Sequence, residues 1–182
     1  MKYVFGIDPD LHDCGFGFYN LESKNIYDYG IISVSKKYKG KDAVLAMADK
    51  LLWFFDQYIW SYISLVDECE LLIIEGQQIY TGKGRARPND LLKLAHVTGA
   101  ILGAATPALG PSLVRIPTPR EWKGNVPKPI HQERTCRALG WPCKRTQGYT
   151  YPTGSRGAHF KPGEWKQVMD GIGLALWGAK TL

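Results

Sequence analysis

The chain has 182 residues, of which 45% are hydrophobic and 22% charged, so it is neither disordered nor collagen-like and has the length of one domain. Its net charge of +6 is unevenly distributed, because residues 1–79 carry −5, residues 80–145 carry +9 and the remainder +2. A basic middle segment is typical of proteins that bind phosphate-rich polymers, but an ordinary solvated surface explains it equally well. No run of 18 apolar residues predicts a membrane span, and the first residues do not resemble a signal peptide.

The first third of the chain predicts strands followed by a long helix. Three short β-rich segments with turn residues between them predict an antiparallel meander: Tyr3–Ile7, Gly15–Asn20 and Ile26–Ser33. A charged loop follows at Lys36–Lys41. Asp42 is then predicted to cap a helix that reaches about Val66, because apolar residues recur there at helical spacing.

The rest of the chain alternates strands with helices. The predicted elements are strands at Leu71–Glu75 and Leu113–Ile116, and helices at about Asn89–Ala105, Gln132–Leu139 and Gly163–Lys180. This order predicts an α/β fold with a mixed sheet, built as a single domain over residues 1–182.

The four cysteines do not form a recognisable metal motif. None of them has the CxxC spacing, although Cys136 and Cys143 lie seven residues apart with His131 nearby. Against a zinc site, the sequence favours unpaired thiols in a reducing compartment. We therefore expect the protein to be cytoplasmic.

Three acids lie within strongly apolar sequence. Asp8 follows the first predicted strand, Glu75 ends the fourth, and Asp170 lies on the last helix among small residues. If the first and fourth strands are parallel neighbours, Asp8 and Glu75 meet at their carboxyl ends, where open α/β sheets place active sites. The small residues around Asp170 would let that helix approach the sheet closely.

Converging carboxylates repel one another, which suggests that divalent cations hold them together. Oxygen ligands with few His or Cys residues nearby favour Mg²⁺ or Mn²⁺ over Zn²⁺. The alternative is that each acid caps a helix or faces solvent, and Asp170 is the member of the set that the residues alone support least.

The chain resembles the RuvC-type Holliday junction resolvases of the RNase H-like superfamily, in particular the phage and prophage branch. The resemblance rests on an ordered series of motifs, each of low specificity. They are Phe5-Gly6-Ile7-Asp8-Pro9 with Gly15-Phe16-Gly17, Ile74-Glu75 with Gln77 and Tyr80, Leu92-Lys93-Leu94 with Gly99, Pro119-Arg120-Glu121-Trp122-Lys123-Gly124 with Lys128, and Met169-Asp170-Gly171-Ile172-Gly173-Leu174-Ala175.

The resemblance implies a five-stranded mixed RNase H-like sheet flanked by helices, a homodimer, and a metal-dependent endonuclease. Asp8, Glu75 and Asp170 become catalytic metal ligands for Mg²⁺ or Mn²⁺, with two ions per site and Asp8 as the candidate bridge between them. The implied reaction is hydrolysis of branched DNA by paired nicks, leaving 5′-phosphate and 3′-hydroxyl ends. Two-fold symmetry of a four-way junction would require two such sites, one in each subunit.

Two positions depart from the family pattern. Gln167 stands where the family usually has Asp or His, three residues before Asp170. Its neutral carbonyl oxygen can ligate, but it would hold one ion weakly and have no acid–base role. Either the three acids suffice, or Glu164 or another residue substitutes, or the activity is weak. Asp10 stands where Gly or Ser is common, either as a compensating acid or as an exposed turn residue.

The predicted DNA contacts lie mainly in the basic middle of the chain. The resemblance makes Tyr80 a candidate wedge that stacks on unpaired bases at the junction centre, although it could instead pack under its own loop. Lys144–Gly157 is predicted to be a second mobile loop that faces DNA. Six cations are candidate phosphate contacts, or else plain surface charges: Lys83, Arg85, Arg87, Lys123, Lys128 and Arg134.

Two other functions are alternatives to a resolvase. A catalytically weakened protein that binds branched DNA is the alternative that Gln167 suggests. A sugar-kinase-like or actin-like ATPase would need two RNase H-like domains, for which 182 residues are too few.

Overall fold

The computed structural model describes residues 2–60, 68–77, 88–154 and 159–182, and these form a five-stranded mixed sheet with helices on both faces. The strand order is β3-β2-β1-β4-β5. Its strands are β1 (Tyr3–Asp8), β2 (Asp13–Asn20), β3 (Asn25–Ser33), β4 (Cys69–Ile74) and β5 (Val114–Arg115). This arrangement confirms the predicted α/β class and the five-stranded mixed sheet.

The register of the central strands determines where the candidate site lies. β1 pairs antiparallel with β2 and parallel with β4, and β2 pairs antiparallel with β3, as the meander predicted. All six residues of β1 are buried, which is the pattern of a strand covered on both faces. Because Ile7 is paired with Ile74, the residues that follow them emerge side by side at one edge of the sheet.

Two helices cover one face of the sheet. They are α1 (Gly40–Trp53), which continues as a π-helical segment (Phe54–Trp60), and α2 (Pro88–Leu109). The predicted extension of the first helix toward Val66 lies outside the described residues. Phe5 stacks on Phe18 with ring centroids 4.1 Å apart, and Phe55 packs against the ring of Phe5 with a centroid distance of 5.9 Å. These rings form the core between the sheet and α1.

The opposite face is covered by α5 (Trp165–Gly178), which approaches β1 and β2 very closely. A Cβ atom on Gly15 would lie 1.9 Å from the backbone oxygen of Gln167, and one on Gly171 would lie 2.6 Å from the backbone oxygen of Gly15. Glycine is therefore required at both positions. The predicted close approach of the last helix is confirmed, and it brings Asp170 to the sheet.

The region between β5 and α5 is more regular than the sequence indicated. It holds α3 (Pro119–Lys123), α4 (Lys128–Ala138) and a hairpin of β6 (Cys143–Arg145) and β7 (Thr150–Pro152). The prediction of a mobile loop over Lys144–Gly157 was wrong in its first half, because β6 and β7 pair there; residues 155–158 lie outside the described part. α4 begins four residues before the predicted Gln132, because Pro129 is accepted in the first turn of a helix.

The helix α2 is unusually apolar for its exposure. It is 22 residues long, and only 22% of its most apolar part is buried. By length and composition alone it is long and apolar enough to cross a membrane, although its apolar residues are not consecutive. Its exposed side carries Leu92, which is 58% exposed, together with Gly99 and Gly103, around which a Cβ would meet nothing.

Candidate active site

The carboxyl ends of β1 and β4 bring Asp8 and Glu75 together. Asp8 is the last residue of β1 and is 9% exposed. The backbone N–H of Glu75 donates to the carbonyl of Ile7 at 3.1 Å, which continues the parallel pairing of the two strands beyond Ile74. The predicted juxtaposition of these two acids follows from this register.

Asp170 reaches the same edge from the other layer. It lies in the first half of α5 and is 1% exposed. One carboxylate oxygen accepts a hydrogen bond from the side-chain Nε2 of Gln132 at 2.9 Å, and the other is paired with the ammonium of Lys128. Both oxygens of this buried acid therefore have a partner on α4.

A second lysine reaches Glu75. The Nζ of Lys123, at the end of α3, lies 3.4 Å from Glu75 Oε1 and 4.6 Å from the ring centroid of Trp122. A capping box between Thr118 and Glu121 begins this short helix and fixes its direction. α3 and α4 thus each place one ammonium group against an acid.

The charges of these groups are strongly coupled. Burial first, and then the negative charges of Glu75 and Asp170, raise the pKa of Asp8 well above its ordinary value. Burial also raises the pKa of Glu75, although Lys123 opposes that shift. Burial by itself lowers the pKa of Lys128, but the charges of Asp170 and Asp8 outweigh it, so the net shift is upward. The three acids and two lysines form one electrostatic unit.

The chemistry of this donor set fits a hard divalent cation, although the described residues contain no group of three His, Cys, Asp or Glu side chains arranged to hold a metal ion. Lys123 and Lys128 pair with two of the acids. Burial is the main cause of the raised pKa of Asp8, and an excess of negative charge from Glu75 and Asp170 over the opposing Lys128 and Lys123 adds to it. A further cation would relieve that excess, and its most direct ligands would be Asp8, Glu75 and Asp170.

Gln167 is directed toward Asp10. Its Nε2 donates to Asp10 Oδ2 at 3.1 Å, while Asp10 Oδ1 accepts from the backbone N–H groups of His12 and Asp13 at 2.9 and 3.3 Å. The side chain of Asp10 is thus used to order the turn after β1. That Gln167 serves as a weak metal ligand stays a prediction.

The predicted DNA contacts have different positions. Lys123 and Lys128 lie inside the acid cluster, whereas Arg134 is exposed on α4. Tyr80, Lys83, Arg85 and Arg87 lie outside the described residues. All of these contacts stay predictions.

The residue that the sequence analysis missed is Gln132. It was assigned only as the start of a helix, yet it is fully buried and bonded to Asp170. Its polar side chain lies on the same face of α4 as His131, Thr135 and Cys136, all of them buried. The available sequence signal was the position of Gln132, four residues after Lys128 on a helix with few apolar residues.

The chain is similar to known proteins in its structure. No family model and no curated protein sequence matches the chain. Among solved structures, Thermus thermophilus RuvC in complex with a Holliday junction substrate superposes with a TM-score of 0.61 at 18% identity, covering 98% of this chain and 93% of that one. The fold is that of the RuvC-type resolvases. A second Thermus thermophilus RuvC structure gives 0.59 at 20% identity, with the same coverage.

The RuvC fold also extends to a eukaryotic structure. The yeast mitochondrial Holliday junction resolvase Ydc2 superposes with a TM-score of 0.55 at 13% identity, over 99% of this chain and 82% of that one. The RuvC fold therefore accounts for essentially the whole chain, as the series of motifs from Phe5 to Ala175 predicted.

Proposed function

We propose that the protein is a divalent-metal-dependent endonuclease that resolves Holliday junctions or other branched DNA. The observation that carries the proposal is the convergence of Asp8, Glu75 and Asp170 at one edge of a RuvC-fold sheet. The solved structures with this fold include a RuvC bound to a Holliday junction substrate. Their identity to this chain is 20% or less, so the activity is argued from the site.

Each residue has a definite role in this proposal. Asp8, Glu75 and Asp170 would hold Mg²⁺ or Mn²⁺, and the bound ions would activate water and stabilise the leaving 3′ oxygen. Lys123 and Lys128 balance the charge of the acids, and their ammonium groups would be available to a phosphate of the substrate once the acids hold metal. Hydrolysis would leave 5′-phosphate and 3′-hydroxyl ends.

A weakened enzyme is the second candidate function. The amide of Gln167 is bonded to Asp10 at 3.1 Å, so the position where the family usually has Asp or His holds an amide side chain with another partner. A protein with a weakened metal site would bind branched DNA and cut it slowly or not at all.

The test of the proposed function is a nicking assay on a synthetic four-way junction, with and without Mg²⁺ or Mn²⁺. We expect paired, symmetric nicks with ligatable ends, and no cutting of a linear duplex of the same sequence. Tight junction binding without cutting at any concentration of either metal would favour the weakened protein. Equal affinity for the junction and the linear duplex would contradict both candidates.

An exposed arginine cleft on α4 extends the proposed DNA surface away from the acids. It has a volume of about 300 Å³ and is lined by Ile130, Glu133, Arg134, Arg137 and Arg145. Glu133 pairs with Arg137 and lies 3.7 Å from Arg145, so two of the three arginines share one acid. α4 begins at Lys128, beside Asp170, and a helix rises ~1.5 Å per residue, so Arg134 lies ~9 Å farther along the helix axis.

We further propose that two copies of the chain associate through the exposed side of α2. Gly99 and Gly103 leave space beside the helix, and Leu92 and Leu45 are 58% and 64% exposed next to it. Small residues let two helices approach closely, and the flanking leucines would be removed from water in the pair. A second copy is the occupant that the function requires, because a junction cut symmetrically on two strands needs two active sites.

Gly99→Glu is expected to convert the dimer to a monomer. The substitution adds a side chain at a position where no atom of the described residues lies within 4 Å of the new Cβ, so we expect the monomer to keep its fold, while two like charges would meet across the interface. Sedimentation equilibrium measures the result, and Gly163→Glu, at another open position, is the control. A monomeric wild type would contradict the dimer, and binding of that monomer to lipid vesicles would assign the apolar side of α2 to a membrane.

A further inference from the structure

The side chain of Gln132 is the most completely bonded polar group near the candidate site. It is fully buried on α4, and it uses every atom of its carboxamide. Nε2 donates to Asp170 Oδ1 at 2.9 Å and to the backbone carbonyl of Lys166 at 3.0 Å. Oε1 accepts from the backbone N–H of Thr150 at 2.8 Å. One side chain therefore connects α4, α5 and β7.

These bonds leave the carboxamide a single orientation. A donor is needed toward Asp170 and Lys166 and an acceptor toward Thr150, so a flipped amide would lose all three bonds. The chain around Thr150 is fixed in addition by its Oγ1, which donates to the carbonyl of Pro129 at 2.7 Å. The orientation of the Asp170 carboxylate is consequently linked to the position of the β6–β7 hairpin.

We propose that Gln132 is a positioning residue, which fixes the Asp170 carboxylate through one end of its amide and holds the β6–β7 hairpin through the other. The inference rests on the proposed function. A neutral donor on Oδ1 orients the acid without adding charge, and it leaves Oδ2, now paired with Lys128, as the oxygen that can turn to another cation. Groups that orient a metal ligand in this way typically change metal affinity or activity by ~10–100-fold when removed.

Two substitutions separate the two ends of the amide. Gln132→Met has a similar shape and loses all three bonds. Gln132→Glu keeps an acceptor for the Thr150 N–H, and in its ionised form, tested at alkaline pH, it has no donor for Asp170. Gln57→Met, at an exposed glutamine after α1, is the matched control.

Three measurements distinguish positioning from a general structural effect. Hydrogen exchange over residues 146–153 is expected to quicken in Gln132→Met and to stay near wild type in Gln132→Glu. Calorimetry is expected to show Mg²⁺ or Mn²⁺ binding ~10–100-fold weaker in Gln132→Met, with junction affinity within about twofold of wild type. Cleavage at saturating metal is expected to fall by a similar factor in both variants and to be unchanged in Gln57→Met.

Several outcomes would overturn the proposal. Wild-type cleavage in Gln132→Glu would mean that donation to Asp170 is not needed. Unchanged metal affinity in folded Gln132→Met would mean the same. Loss of the folded state in both variants would make Gln132 a purely structural residue. A wild type that binds no metal and cuts no junction would refute the proposed function itself, and the role of Gln132 with it.

Discussion

Replacing Asp8 with asparagine is expected to lower the rate of junction cleavage on the order of 10³-fold or more while leaving junction affinity intact. Asp8 interacts electrostatically with both Glu75 and Asp170, because burial first and then the charges of these two acids raise its pKa. An amide has one ligating oxygen and no charge, so it would weaken any cation held there, and transition-state stabilisation would be lost with the cation. Single-turnover cleavage and gel-shift titration with the same junction measure the two effects separately.

The same substitution is expected to raise the melting temperature in the absence of divalent ions. Because the pKa of Asp8 is raised in the folded state, its carboxyl stabilises the fold most at pH values below its ordinary pKa, and this contribution is lost as the pH rises through the folded-state pKa. Asparagine does not titrate. The increase in melting temperature of Asp8→Asn over wild type should therefore be largest at neutral and alkaline pH and should disappear in acid.

The control for Asp8→Asn is Asp49→Asn, an exposed acid on α1. We expect it to change neither cleavage nor the dependence of the melting temperature on pH. If Asp8→Asn cuts at the wild-type rate, Asp8 is not part of the reaction. If it loses junction binding along with cleavage, the acid supports the DNA-binding surface instead of the chemistry.

The sheet was predictable because its strands carry local signals. The apolar runs before Asp8 and Glu75 are strands buried on both faces, and such strands read as continuous hydrophobic segments. Short turns between the first three strands determined their antiparallel order. The glycines around Asp170 pointed to close packing before any contact was known, because small residues on a helix have few other reasons to cluster.

The surroundings of the acids were not predictable in the same way. Lys123 and Lys128 were interpreted as phosphate contacts because a lysine in a basic segment carries no sign that it pairs with a buried acid. Gln132 was overlooked because its partners are 18, 34 and 38 residues away. The hairpin was missed because β6 and β7 are three residues each and pair next to helix α4, which supplies the bonds that hold them.

The second large effect is expected at Lys128. Once its ammonium group is removed, the free energy of unfolding should depend on divalent ions. Lys128→Met would leave Asp170, which is 1% exposed, without its charged partner and beside two other acids. Removing one partner of a buried ion pair typically costs ~3–5 kcal/mol, and the partial exposure of the Lys128 side chain, 27%, places the expected loss of unfolding free energy at about 2–3 kcal/mol.

The dependence of the stability of Lys128→Met on Mg²⁺ and on pH identifies the cause of this loss. Mg²⁺ should restore most of the stability, because a cation bound by the native acids stabilises the fold by mass action, and calorimetry should show tighter Mg²⁺ binding than in wild type. Lower pH should restore it as well, since the raised pKa values of Asp8 and Glu75 mean that the folded state takes up protons first. Denaturant unfolding at pH 5 and pH 8, with EDTA or with Mg²⁺, measures both.

Lys166→Met, at an exposed lysine on α5, is the matched control and should behave as wild type under all four conditions. Equal stability of Lys128→Met and wild type in EDTA would show that the ion pair with Asp170 contributes nothing to folding. A loss that neither Mg²⁺ nor low pH repairs would show that Lys128 acts through packing instead of charge. The expected pattern would mean that Lys128 occupies, in the absence of metal, the electrostatic position that a divalent cation takes during the reaction.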